Sequence, residues 1–308
     1  MAEEKKSSRN FVLLVGSLKE TTLELKTDNE GKRFVSGNVT VAVDEFNTHR
    51  VRFLVFENQL KDKFDSVCGF LPSNVVSIAS YLKANPTANF EVASKMAAKV
   101  WVTGSLEEYV KVSGENEKSS VTINGMKIGH SEADKFEPKA TFELEGNIAS
   151  LEDEVVDEEE TGRVKVELYV PAYKDLIYKM NFVVGTENNA AKFVREKFKA
   201  GDGLFIKGNL LAMRIQEMND DEDVEVEDAF GEPTVPQYTT RFVREMVIVG
   251  GHKVDSLFTN KQLKDGLAAR LVLAQDRAKK EKARAAAKPA DEDIEEASAG
   301  SGDDDLDF

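Results

Sequence analysis

The chain holds a single cysteine, Cys68, and a lone thiol cannot close an internal disulfide. There are three histidines, His49, His130 and His252, which with one cysteine give no ligand set for a structural zinc site. No apolar run approaches the roughly 20 residues of a membrane span, and residues 1–10 are polar where a signal peptide would be hydrophobic. A soluble protein of the cytoplasm is expected. No Walker loop, glycine-rich dinucleotide turn, HExxH or GxSxG is present, so neither an enzyme nor a cofactor is expected. The acidic stretch 220–228 lacks the turn glycine and the spacing of an EF-hand loop, so no metal site is expected there.

What the sequence does hold is length and segregated charge. At 308 residues it can form two domains, each large enough for its own core. The net charge of −15 argues at first against a polyanionic ligand. Yet residues 152–160, 217–228 and 291–308 carry seven, eight and nine acidic residues and no basic ones; setting these 24 aside leaves the remainder at +9. The first two runs read as loops and the third as a tail. Because screening at physiological salt acts over about 8 Å, a cationic groove can coexist with acid held elsewhere.

A five-residue frame recurs four times: Leu14-Val15-Gly16-Ser17-Leu18, Val102-Thr103-Gly104-Ser105-Leu106, Leu144-Glu145-Gly146-Asn147-Ile148 and Ile206-Lys207-Gly208-Asn209-Leu210. Serine marks the first pair and asparagine the second, which indicates a duplicated unit opening near residues 11 and 141. Each frame lies in a strand-like run: 11–18, 99–106, 140–148 and 203–211. Glycine inside a strand marks a bulge or sharp coil, where a strand turns a corner to pair with two sheets. Further strands are expected at 34–43, 50–56 and 121–128, and in the second unit at 163–170, 177–184 and 241–249. Helices are expected at 73–84, with Val75, Val76, Ile78, Ala79 and Leu82 as apolar face, and at 189–199, capped by Asn188 or Asn189. Three strands, a helix and two strands is the order of an OB-fold, a five-stranded barrel whose face binds oligonucleotides or oligosaccharides. The fold class is therefore all-β: two tandem OB-fold barrels, each with a helix between strands 3 and 4, at 11–135 and 136–258. A disordered N-terminus (1–10) precedes them; a basic helical segment (259–289) and a disordered acidic tail (290–308) follow. In that segment Leu263, Leu267, Leu271 and Ala274 form a stripe.

Several runs together resemble the bacterial-type single-stranded-DNA-binding proteins, in duplicated form and most similar to phage-encoded versions. Asn38-Val39-Thr40-Val41-Ala42 and His49-Arg50-Val51 are similar to that family's second and third strands. Tyr238-Thr239-Thr240 leading to Val247-Ile248-Val249-Gly250-Gly251 is similar to its last hairpin and terminal Gly-Gly. Asp303-Asp304-Asp305-Leu306-Asp307-Phe308 resembles its acidic tail. The chain departs from the pattern in having one tryptophan, Thr48 before His49, and Asp307 where the bacterial tail has proline.

The resemblance implies single-stranded DNA as partner, in replication, recombination or repair, with bases stacked on Phe46, Trp101, Tyr178 and Phe205. It further implies that Asp303, Asp304, Asp305, Leu306, Asp307 and Phe308 recruit replication or recombination proteins. The residues themselves offer cations and one aromatic on strand parity: Arg50 and Arg52 opposite inward Val51, Phe53 and Val55, then Arg163 and Lys165 with Tyr169, and further Lys179, Lys207 and Arg214. A homo-oligomer is admissible, an RNA ligand equally so, and the other class of reading is an adaptor whose barrels bind proteins.

Overall fold

The structure is a computed structural model. It describes residues 9–113, 116–132, 136–156, 159–218, 226–227, 233–234 and 238–286, with only the backbone at 113, 116, 174 and 188 and at those of them within 212–244 and 281–286. The strands are β1 (Asn10–Thr21), β2 (Glu24–Thr27), β3 (Arg33–Ala42), β4 (Thr48–Phe56), β5 (Lys99–Ser113), β6 (Asn116–His130), β7 (Lys139–Val156), β8 (Glu159–Pro171), β9 (Ile177–Val184), β10 (Gly203–Met218), the two-residue β11 (Val226–Glu227) and β12 (Pro233–Thr234), and β13 (Tyr238–Val254). The helices are α1 (Lys61–Cys68), α2 (Ile78–Ala84), α3 (Phe90–Met96), α4 (Ala190–Lys197) and α5 (Asn260–Ala286).

Alternation along each strand produces the layers. On β4, His49, Val51, Phe53 and Val55 are buried while Arg50, Arg52 and Leu54 are exposed, the period-2 pattern of a strand with one face on a core. Strand pairing then closes on itself twice. In the first half β1 pairs β3, β3 pairs β4, β4 runs parallel to β6, β6 pairs β5, and β5 returns to β1. The second half repeats the circuit strand for strand: β7, β8, β9, parallel β13, β10 and back to β7. Antiparallel pairing of β1 with β7, from Asn10 opposite Leu144 to Val15 opposite Lys139, joins the two circuits.

The four recurrent glycines explain this closure. A Cβ on Gly16 would overlap the Ala42 carbonyl, on Gly104 that of Asn124, on Gly146 that of Tyr169 and on Gly208 that of Val247. Gly16 and Gly146 stand where β1 and β7 change partners. Gly104 and Gly208 stand at equivalent bulges of β5 against β6 and β10 against β13. Only a residue without a side chain lets two backbones approach there.

Phe53, Leu14, Leu106 and Ile128 fill the first circuit, with Phe64 and Val67 of α1 packed onto them; Phe142, Phe182, Leu144 and Ile148 fill the second, beside Ala191 of α4. Among the described residues no helix is long and apolar enough to cross a membrane.

Several expectations are corrected. The first circuit has three helices between its third and fourth strands, not one. Residues 73–77 are not helical: α2 starts at Ile78, where Ser77 and Ser80 form a reciprocal capping box. Asn189 precedes α4 in a left-handed conformation without capping through its side chain. The acidic run 152–160 is not a loop, since β7 continues to Val156 and β8 begins at Glu159. β2, paired with β3, was not foreseen. On α5 Ala274 of the expected stripe is buried and Leu263 and Leu267 half-buried, but Leu271 is exposed while Gly266 and Arg270 are buried, so the contacting face is turned toward Gly266 and Arg270. The N-terminal residues 1–8, most of the second acidic run and the tail, including Asp303, Asp304, Asp305, Leu306, Asp307 and Phe308, lie outside the described residues.

Candidate nucleic-acid interface

The outer face of β3 and β4 gathers cations and flat apolar side chains. Register sets Thr40 opposite Arg50, Asn38 opposite Arg52, Ser36 opposite Leu54 and Phe34 opposite Phe56. Arg50 and Arg52 are exposed, and neither makes an ion pair among the described residues. At the head of β4 the Asp44 carboxylate accepts the amide N–H of Phe46 (2.9 Å) and of Asn47 (2.7 Å). This Asx turn presents the Phe46 ring to solvent, 51% exposed. The face thus reads Phe46, Arg50, Arg52, Leu54 and the Phe34–Phe56 pair, whose ring centroids lie 5.4 Å apart. Phe34, Leu54 and Phe56 were missed because only cations and the aromatics indicated by the resemblance were sought on this face. Their parity, opposite Val35 and Val55, was the available signal.

Trp101 lies on the outer parity of β5, half-buried, its indole across Gly129 of β6. It is not in the row of Arg52, which runs through Asn124 to Ser105, about 13 Å further along β5. Lys99, two residues before it, donates to Ser17 Oγ (2.8 Å) and to the Ser94 carbonyl, and burial holds its ammonium below the usual lysine range.

In the second circuit the same surface is more occupied. Phe205 takes the position Trp101 has in the first, but His252 packs on its ring (4.9 Å between centroids) and the Arg9 guanidinium stands 5.9 Å from it. Arg163 is paired with Glu245 (2.6 Å) and Glu154 (3.3 Å), and Lys165 approaches Glu154 at 4.0 Å. Tyr169 lies on the outer parity of β8 opposite Lys179 of β9. Lys207 is exposed, its stem against Gly250. For Arg214 only the backbone, paired with Phe242, is described.

Tyr178 is corrected. The register of β9 sets it two residues before Met180, the counterpart of His49, on the inward parity of Met180, Phe182 and Val184 and not on the outward stacking face. Its hydroxyl donates to Glu107 Oε1 of the first circuit (2.9 Å). Burial, then the Glu107 charge and hydrogen bond, push its phenol well above the usual range, although Arg277 opposes this. A raised phenol pKa contributes stability that is complete below about pH 10 and is lost as pH rises above it. Tyr178→Phe should therefore lower the urea midpoint at neutral pH, through the lost hydrogen bond, yet fall less than the native chain between about pH 10 and pH 11. Parallel declines of the two proteins over that window would refute the assignment.

Between the circuits lies a carboxylate pair that the sequence did not single out. Glu107 accepts from Tyr178 and from the Asn124 amide; Glu108 accepts the Lys179 backbone N–H (2.8 Å) and Arg270 Nε of α5 (2.7 Å). Arg270 also pairs with Glu117, and the Arg277 guanidinium stands over the Tyr109 ring at 5.8 Å. Burial opposes the charge on Arg270, but its hydrogen bonds to Glu108 and Glu117 outweigh it and hold the guanidinium protonated.

Among solved structures, the wild-type single-stranded DNA binding protein of Thermus aquaticus is 16% identical, with 80% of this chain and 93% of that one covered at a TM-score of 0.45. A deletion mutant of the same protein is 15% identical, over 82% and 98%, at 0.43. A replication protein A heterotrimer bound to single-stranded DNA is 10% identical, over 86% and 54%, at 0.19. Superpositions this loose do not decide what the chain binds. No curated protein matches it. The sequence profile of the YorF family matches residues 8–283, well over half of the 308, and the chain belongs to that family.

Proposed function

We propose that this chain binds single-stranded DNA without reading sequence, through two OB barrels formed by the two five-strand circuits, at residues 11–135 and 136–258. The observation that carries the reading is the outward row of β4: Arg50 and Arg52 exposed without ion pairs among the described residues, Phe46 at one end and Leu54 with the Phe34–Phe56 pair at the other. Cations at strand spacing follow a phosphate backbone, and flat faces beside them take unpaired bases at about 1–3 kcal/mol each. The second circuit adds Lys165, Tyr169, Lys179, Phe205, Lys207 and Arg214, and Trp101 lies on the first. The +9 charge left after the three acidic runs are set aside supports a polyanionic ligand.

The acidic tail Asp303, Asp304, Asp305, Leu306, Asp307 and Phe308 recruits replication or recombination proteins, as in the phage and bacterial proteins the sequence resembles, and the protein acts in the cytoplasm during replication, recombination or repair. With one tryptophan in the chain, titration of its fluorescence reports on one place. Poly(dT) is expected to quench Trp101 while duplex DNA leaves it unchanged. Poly(U) separates DNA from RNA preference, and no response to any nucleic acid would favour a protein-binding adaptor.

A further inference from the structure

We propose that α5 is a clasp that fixes the second circuit's strand β9 against the first circuit, with the Glu108 carboxylate as its node and Arg270 as a positioning residue. The proposal rests on the single-strand reading only for its consequence in binding; the clasp itself rests on geometry. Three elements converge on one carboxylate: Glu108 belongs to β5, the Lys179 N–H it accepts belongs to β9, and Arg270, bonded to both of its oxygens (2.7 and 2.5 Å), belongs to α5. Glu108 is 3% and Arg270 5% exposed, so each charge depends on the other.

The neighbouring residues repeat the connection. Glu107 holds Tyr178, so two successive carboxylates of the first circuit take two successive residues of β9. Gly266 lets α5 come down on this strand, since a Cβ there would stand 2.7 Å from Ile177 Cγ1 and 2.9 Å from the Asp175 carbonyl oxygen. Besides the clasp, the described connection between the circuits is centred on the β1–β7 ladder, with Arg9 beside it on Glu143 and Phe205, a single line about which they can rock. Lys179 stands on the outward parity of β9, at the position Thr48 has on β4, so the clasp sets the distance of a second-circuit cation from the Arg50–Arg52 row.

The test uses the full chain. Arg270→Lys keeps the charge but loses the planar fork, and Arg270→Leu removes both. Hydrogen exchange at the Lys179 amide is expected to quicken by roughly tenfold or more in each, while Phe182 in the same strand keeps its protection. Spin labels at Lys83→Cys and Lys192→Cys, in a Cys68→Ser background, should give a narrow distance distribution that broadens in both variants. Long dT strands should lose affinity severalfold, and strands too short to reach both circuits should bind as before. Unchanged Lys179 exchange together with an unchanged distance distribution in a folded variant overturns the clasp, whatever the DNA result. If the native chain binds no single strand, the functional reading fails and the exchange and distance measurements still decide the clasp.

Discussion

Replacing Arg50 and Arg52 together by glutamine is expected to flatten the log–log salt dependence of single-strand binding by about 1.4. Each phosphate neutralised on a single strand contributes about 0.7 to that slope, through the counterions it releases. At about 0.1 M salt this corresponds to a roughly 25-fold loss of affinity. The two arginines face outward between buried residues and hold nothing in the fold among the described residues, so stability should stay within about 0.5 kcal/mol. Lys165→Gln should do much less, because Lys165 is already partly compensated by Glu154 at 4.0 Å. Measuring affinity for a dT oligomer across a salt series decides the matter. A slope unaltered by the double substitution would show that the β3–β4 face is not the phosphate track.

Arg270→Ala is expected to cost about 3–5 kcal/mol, the penalty of leaving a buried carboxylate without its partner. Glu117, whose side chain is 36% exposed, can turn to water; Glu108 cannot. Urea unfolding of the native and variant chains measures the loss, and a Glu108→Leu/Arg270→Leu double variant should recover much of it, since an apolar pair removes both charges together. A double variant as unstable as Arg270→Ala would mean that the loss comes from helix packing and not from the stranded charge.

The order of strands around each circuit was legible because it is written in local pattern. Val35, Val39 and Val41 on β3 and Val51, Phe53 and Val55 on β4 alternate with the outward row and fix a face, and the glycine frames mark where β1, β5, β7 and β10 must approach another backbone. The outward parity of Arg50 and Arg52 followed from the same alternation. Phe34 and Phe56 belonged to that pattern too, but stacking aromatics were sought only where the family resemblance indicated them. Tyr178 was misplaced because the parity of β9 is fixed by its pairing with β8, and the aromatic at its head met a carboxylate from the other circuit.

The sequence by itself determined the repeated strand order, the glycine crossings and the separation of acid from a cationic remainder, since each depends on spacing within a short stretch. Only the tertiary structure decided that Arg270 is buried, that two glutamates on an extended hairpin are consumed internally, and that Arg163 of the second circuit is paired with Glu245. Those outcomes depend on residues distant in the chain, 71 positions for Glu107 and Tyr178 and 162 for Glu108 and Arg270. A charge is solvated or buried according to what the fold sets beside it, and no local pattern records that.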